Sequence, residues 1–208
     1  MPEILISPFE AHQADILGRV LAESFSQDDS LRRFVACRPE QFPAYFSWAA
    51  GFFLSSGRYY AWGAAKGELW VGAALCIPSR WSASPSLLWR YLARAWQINR
   101  WNSLRMGWNM LHYAALAGYG QEALSLTFLG VLPAYRGEAI GRKLLRQVLD
   151  ASPSPAVQLE VETDNQAAIS LYASEGFQVI RVFRVAGMKM QVMRWDRLKN
   201  TLQESLNR

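Results

Sequence analysis

Cysteine is scarce, with two residues in a chain of 208, Cys37 and Cys76, far apart and without metal-ligand spacing. That excludes a disulfide framework and a cysteine zinc site, and it points to idle thiols in a reducing compartment. Long apolar runs are missing too. The longest, Phe42 to Leu54, is 13 residues, short of the roughly 20 that cross a bilayer. The opening residues MPEILISPFE carry no basic stretch ahead of an apolar one, so no secretory leader is expected. Glycine has no fixed period, which excludes a collagen-like chain. Apolar residues, at 51%, are too many for an intrinsically disordered one. The expectation is one cytoplasmic globular domain over residues 1–208 with no integral membrane segment.

Acidic residues are absent where arginine is concentrated. The chain has 22 basic and 17 acidic residues, a net charge of +5. From Ser79 through Gln121 there is no Asp or Glu, while Arg80, Arg90, Arg94, Arg100 and Arg105 all fall there. These five arginines equal the whole excess. A positive surface attracts phosphate-bearing ligands, nucleic acid or anionic membrane, and a modest charge does not choose among them.

Apolar periodicity orders the rest. Ile4 to Ile6 reads as a short strand and Ala14 to Phe25 as a helix, ended by the polar residues Ser26 to Ser30. Gln41 to Leu54 reads as a second helix. Tyr59 to Ala65 and Leu69 to Ile77 flank Lys66-Gly67-Glu68 as a hairpin. Leu87 to Leu116 is helix-compatible, holds Trp89, Trp96, Trp101 and Trp108, and is expected to bend or split at Gly107. Leu124 to Val131 reads as a buried strand, Ile140 to Leu149 as an amphipathic helix and Val157 to Val161 as a strand. Gln166 to Ser174 reads as a helix with Gly176 at its end. A second hairpin runs from Phe177 to Trp195, and the last dozen residues read as a frayed helix or tail. Hairpins around a strand–helix–strand unit predict an α/β (α+β) domain with a mixed sheet.

Two stretches carry chemistry. In LTFLGVLPAYRGEAIGRKLLRQVL, Leu126 to Leu149, a strand ends at Val131 and a helix begins near Gly141. Helix N-termini present free N–H groups and a positive dipole end, and small residues at Gly137, Ala139 and Gly141 let an anion approach the backbone. Alone, this is a phosphate cradle or a plain strand–turn–helix. The second stretch, LEVETDNQAAISLYASEGF, sets Asn165 at a strand end, Tyr172 on the helix and Gly176-Phe177 after it. In this order the two resemble motifs A and B of the GNAT N-acetyltransferase superfamily. Arg136-Gly137-Glu138-Ala139-Ile140-Gly141 matches the family's Gln/Arg-x-x-Gly-x-Gly/Ala, with Ala139 where glycine is usual.

The resemblance implies a mostly antiparallel mixed sheet with flanking helices and a splayed central strand pair. The implied activity is transfer of an acetyl group from acetyl-CoA, with no metal, to a primary amine. The amine belongs to a small molecule or protein N-terminus, rather than nucleic acid, and attacks the thioester directly. Leu129, Gly130 and Val131 would pair with pantetheine, with Gly130 suited to a bulge. Gly137, Glu138, Ala139, Ile140, Gly141 and Arg142, preceded by Arg136, would hold the pyrophosphate, with Lys143 adding charge. Asn165 would bind the cofactor at the strand end or cap the helix, Thr163 and Asp164 being rival caps. Tyr172 would be the general acid. Glu160 or Glu162, on one face of a strand by the period of two, would be the general base, and mutual repulsion would raise one pKa. The segment at about 79–120 reads as an insertion between the third and fourth strands. It would roof the acceptor site, form a homodimer face or touch an anionic membrane. A different class of function is a catalytically weak CoA-binding or interaction module working through that insertion.

Overall fold

The computed structural model describes residues 3–78, 84–117 and 122–199. A seven-stranded sheet runs in the order β1-β2-β3-β4-β5-β7-β6. Its strands are β1 (Ile4–Pro8), β2 (Tyr60–Lys66), β3 (Leu69–Pro78), β4 (Ala123–Val131), β5 (Ala156–Glu162), β6 (Gln178–Val185) and β7 (Met188–Asp196). Every neighbouring pair is antiparallel except β4 with β5. Both sequence-predicted hairpins form.

Each face of the sheet has its own apolar layer. On one, α6 (Ile140–Ala151) turns Ile140, Leu144, Leu145 and Val148 inward, at helical spacing, against Leu124, Leu126 and Leu159. The shorter α7 (Gln166–Ser174) closes the same layer with Tyr172. The other face carries α1 (Ala14–Ser24), α2 (Asp29–Val35) and α3 (Phe42–Ser55), whose Leu17, Leu21, Phe34 and Phe46 pack on Ala73 and Leu75. The crossing of α1 and α3 needs a glycine, since a Cβ on Gly18 would lie 2.5 Å from the Ser47 Cα.

The insertion is two helices, α4 (Pro85–Asn99) and α5 (Asn102–Ala117). They part at Arg100, in a positive-φ conformation (φ 50°), not at Gly107, which lies inside α5. Gly107 has open space around it and so meets nothing that would bend the helix. Two buried asparagines explain how the pair docks. Asn99 Nδ2 donates to the Val35 carbonyl at 3.0 Å, and Asn109 Nδ2 to the Phe34 carbonyl at 2.7 Å. Those carbonyls sit in the last turn of α2, where a helix has no partners of its own for them. The chain's end, read above as a frayed helix or tail, lies outside the described residues beyond Lys199.

Candidate active site

β4 and β5 pair at only three positions, Ala123 with Ala156, Leu124 with Val157 and Ser125 with Gln158. Beyond them β4 continues along β3 and β5 along β7, so the strands diverge and a wedge opens between Leu129–Val131 and Glu162. A bulge helps turn β4 away, but it falls at Thr127, the extra residue between Leu126 and Phe128, and not at Gly130. Gly130 stays in register opposite Ala73. It is glycine for another reason: a Cβ there would lie 2.7 Å from the Ser24 Cβ at the end of α1. The resulting cleft, about 780 Å³, is lined from both strands, the N-terminus of α6 and the chain joining α1 to α2.

One end of the cleft is built for an anion. After a turn at Pro133–Tyr135, Gly137 (φ 88°) and Ala139 (φ 58°) take left-handed conformations that aim the chain into α6. The Lys143 amide bonds back to the Ala139 carbonyl, so the amides of the turn before it lack helical partners. A Cβ on Gly141 would meet Leu171 and Val131 at 3.6 and 3.7 Å, ordinary contacts. The protein itself would therefore tolerate alanine there, as the Gly/Ala of the motif allows. Arg136 donates to the Ser24 carbonyl at 2.7 Å, clamping this loop to α1. Arg142 lines the cleft while bonding Ser174 and pairing with Glu175. Free amides, a helix dipole and a cation fit the pyrophosphate of CoA.

The same cleft carries carboxyls. Glu162 lines the cleft with Asp28 and Asp29. Burial pushes the Glu162 carboxyl above its ordinary range, a Ser30 hydrogen bond pulls it back, and the Asp164 and Asp28 carboxylates push it up again. Glu160 does not line the cleft. It accepts from the Tyr113 hydroxyl at 2.8 Å and from Gln158 Nε2 at 3.2 Å. Burial raises its pKa against those two bonds. The repulsion between the two carboxyls expected from their strand positions is not the cause: each is raised by burial first, and the charges acting on Glu162 are aspartates.

Of the sequence-predicted site residues, Leu129, Gly130, Val131, Arg136, Gly137, Ala139, Ile140, Gly141, Arg142, Glu162 and Asn165 line this one cleft. Glu138 does not; it pairs outward with Lys66 Nζ at 2.6 Å. Asn165 takes both of its expected places. Its Oδ1 caps α7 through the Ala168 amide at 3.2 Å while the residue borders the cleft. Tyr172 is buried in the layer beneath, one residue past the cleft-lining Leu171, with its ring 5.8 Å from that of Phe177. Burial raises its phenol pKa well above the ordinary value, and the hydroxyl makes no hydrogen bond to a described residue.

Sequence reasoning missed one wall altogether. Ser24, Phe25, Gln27, Asp28, Asp29 and Ser30 all line the cleft. The signal was the run Asp28-Asp29-Ser30 ahead of Leu31, in which Asp28 accepts from the Leu31 amide at 2.7 Å and starts α2. Ser24 also carries a buried hydroxyl with no partner among the described residues.

A splayed parallel pair beside a helix N-terminus, within this strand order, defines an α/β fold with a ligand-sized wedge at its centre. Residues 22–177 match the model of the acetyltransferase (GNAT) family, and the chain belongs to that family. Over 105 residues it is 40% identical to the N-alpha-acetyltransferase RimI of Mycobacterium tuberculosis, a match covering 47% of this chain and 66% of that one. A Mycobacterium leprae protein is 46% identical over 70 residues, 32% of this chain and 20% of its own length. The chain thus spans less than two thirds of either relative. Among solved structures, the ribosomal-protein alanine N-acetyltransferase of Escherichia coli superposes with a TM-score of 0.56 at 16% identity, covering 93% of this chain and 94% of that one. The PaiA N-acetyltransferase of Thermoplasma acidophilum, in complex with coenzyme A, gives 0.56 at 15% identity, covering 93% and 99%. At such identities the likeness is one of fold.

Proposed function

We propose that residues 1–208 act as a single acetyl-CoA-dependent N-acetyltransferase domain whose acceptor is a primary amine, with a protein N-terminus the leading candidate. The observation that carries this reading is the polarity of the cleft. An anion cradle at the start of α6 and a cluster of carboxyls at Asp28, Asp29 and Glu162 share one wedge between splayed strands. An anionic cofactor would be drawn to the cradle and a cationic acceptor to the carboxyls of the same cleft. The N-alpha-acetyltransferase relative supports the N-terminus over other amines.

Bound acetyl-CoA would supply the thioester. The cradle of Gly137 to Arg142 would hold its pyrophosphate, and the edge of β4 from Leu129 to Val131, freed by the departure of β5, would pair with its amide-bearing arm. Glu162, in the cleft with a raised pKa, would take the proton that an ammonium must lose before attack. Glu160 could serve instead only through an intervening group, since Tyr113 and Gln158 occupy it. Tyr172 keeps its proton at neutral pH. It lies beneath the cleft lining next to Leu171 and not in the cleft itself, so it would protonate the departing thiolate only where bound acetyl-CoA brings its sulfur within hydrogen-bond reach of the phenol.

The test is thiol release from acetyl-CoA over a panel of small amines and peptides with free N-termini. Turnover on peptides that is lost when the N-terminus is blocked supports the proposal. Acetyl-CoA binding without turnover on any amine defeats the enzymatic reading and favours a CoA-binding module. No thermal stabilisation by millimolar CoA defeats the cofactor assignment itself, because a ligand at 100 times its dissociation constant stabilises by about 2.7 kcal/mol.

A further inference from the structure

The outward faces of α4 and α5 belong neither to the core nor to the cleft. Leu88, Trp89, Leu92 and Trp96 fall in one stripe along α4, beside the stripe that is buried. Leu104, Trp108 and Leu111 form its counterpart on α5. The Trp96 and Trp101 rings meet edge to face with centroids 5.1 Å apart, which joins the stripes at the turn. Trp89, Trp101 and Trp108 are 73%, 75% and 69% exposed. Isolated exposed apolar residues need no explanation, whereas a continuous aromatic surface marks an interaction site.

The charge on the same two helices says what covers it. Arg100 stands at the turn between the stripes and Arg105 beside the α5 stripe, while Arg90 and Arg94 lie on the opposite shoulder of α4, along the groove against α3. Arg90, Arg94, Arg100 and Arg105 are exposed, and none forms an ion pair with a described residue. The segment has no carboxylate of its own to offer them. A two-fold contact with a second copy through the stripes would bury Arg100 and Arg105 against the same segment, which holds no carboxylate to neutralise them. A nucleic-acid backbone would satisfy the arginines and leave the leucines in water. A lipid surface satisfies both. Trp and Leu enter the boundary between headgroups and acyl chains, and arginine stems reach the phosphates.

We propose that the α4–α5 face docks on an anionic phospholipid membrane, lying in the interface without crossing it. Among the described residues no helix is long and apolar enough to span one. Docking leaves the cleft open, since none of its lining residues belongs to α4 or α5.

Flotation of the intact protein with vesicles of phosphatidylglycerol and phosphatidylcholine, against phosphatidylcholine alone, tests the proposal. Binding is expected to the anionic vesicles only, with tryptophan emission quenched by brominated acyl chains. Replacing Trp89, Trp101 and Trp108 together with Gln should abolish the quenching and most of the binding. Replacing Arg100 and Arg105 with Gln should cost about fivefold in partitioning per charge, less at high salt. All of these side chains are exposed, so the variants should keep the wild-type melting temperature. The proposal is overturned by failure to float with anionic vesicles at low salt, or by binding that acyl-chain bromines leave unquenched. It is equally overturned by a dimer that the tryptophan variant dissociates while the wild type ignores vesicles, or by RNA binding that outcompetes them.

Discussion

The Tyr113 hydroxyl donates to Glu160 Oε2 across 2.8 Å, so a residue of the insertion helix α5 bonds directly to a carboxylate of the central strand β5. This bond stabilises the ionised carboxylate and lowers its pKa, against the rise that burial imposes. Tyr113→Phe keeps the ring contacts with Phe34 and Phe183 and removes the donor. If Glu160 titrates in catalysis, the acidic limb of the pH–rate profile should move to higher pH in this variant. If Glu162 is the base, the limb should stay and Glu162→Gln should flatten it. A pH profile of kcat/KM for the three proteins separates the two carboxylates.

Glu160 also predicts a stability change of definite sign. Its folded pKa is raised, so below the ordinary carboxylate pKa it costs the fold nothing as a charge. Destabilisation then grows as pH rises through the window up to the raised value. Glu160→Gln removes this titration. The amide oxygen can still accept from Tyr113, and its N–H can donate to Gln158 once that side chain, which now presents Nε2 to position 160, turns over to present its Oε1, partnerless among the described residues. At pH 8 the variant should be more stable than wild type, with the difference vanishing near pH 4. Urea titrations at the two pH values check this; a less stable variant at pH 8 would mean that the carboxylate is favourably held.

The cradle separates folding from binding at one position. Gly141→Ala adds a Cβ for which the protein has room, at 3.6 Å from Leu171 and 3.7 Å from Val131. Helix propensity should then leave the fold unchanged or up to about 1 kcal/mol more stable. The motif accepts alanine at this position, so stabilisation by CoA should persist in Gly141→Ala, whereas Gly141→Asp, which would set an anion beside the pyrophosphate, should abolish it. Equal CoA response in Gly141→Asp and wild type would remove Gly141 from the cradle.

Ala139 poses the reverse case. Its φ of 58° costs an alanine about 1–2 kcal/mol that glycine avoids, while glycine returns about 0.4–1 kcal/mol through the unfolded chain. Ala139→Gly should stabilise by about 0.5–1 kcal/mol in urea unfolding, with CoA affinity retained. A destabilised variant would show that the loop is not strained.

The cradle was legible because its chemistry is local. A strand end, two glycines, an alanine and a helix start are consecutive residues, and backbone amides need no distant partner. The wall at Ser24 to Ser30 was not, since Ser24 reaches Gly130 and Arg136 only after α1 has crossed the sheet. Period-two alternation put Glu160 and Glu162 on one face, as found, and could not tell which faces the cleft. That depends on Tyr113 arriving from α5, 47 residues earlier in the chain. The break at Arg100 was hidden for a similar reason. Glycine marks a helix end only where the backbone must turn left-handed, and here an arginine takes that conformation while Gly107 stays helical.

Tyr172 carries the last prediction, because its surroundings separate a chemical role from a structural one. A phenol packed for stability would bond its hydroxyl to the protein. This one makes no hydrogen bond to a described residue, and burial keeps it protonated throughout the neutral range. Tyr172→Phe preserves the contact with Phe177 and leaves no polar partner stranded. Its unfolding free energy should stay within about 0.5 kcal/mol of wild type, as for a neutral substitution, and CoA should stabilise both equally. Turnover should nevertheless fall by about 10²–10⁴-fold if the phenol protonates the leaving thiolate. Replacing acetyl-CoA with a thioester of lower leaving-group pKa should then recover rate in the variant more than in wild type, since a better leaving group needs its proton less. Unchanged turnover, or an equal gain in both proteins with the activated thioester, would take the acid role away from Tyr172.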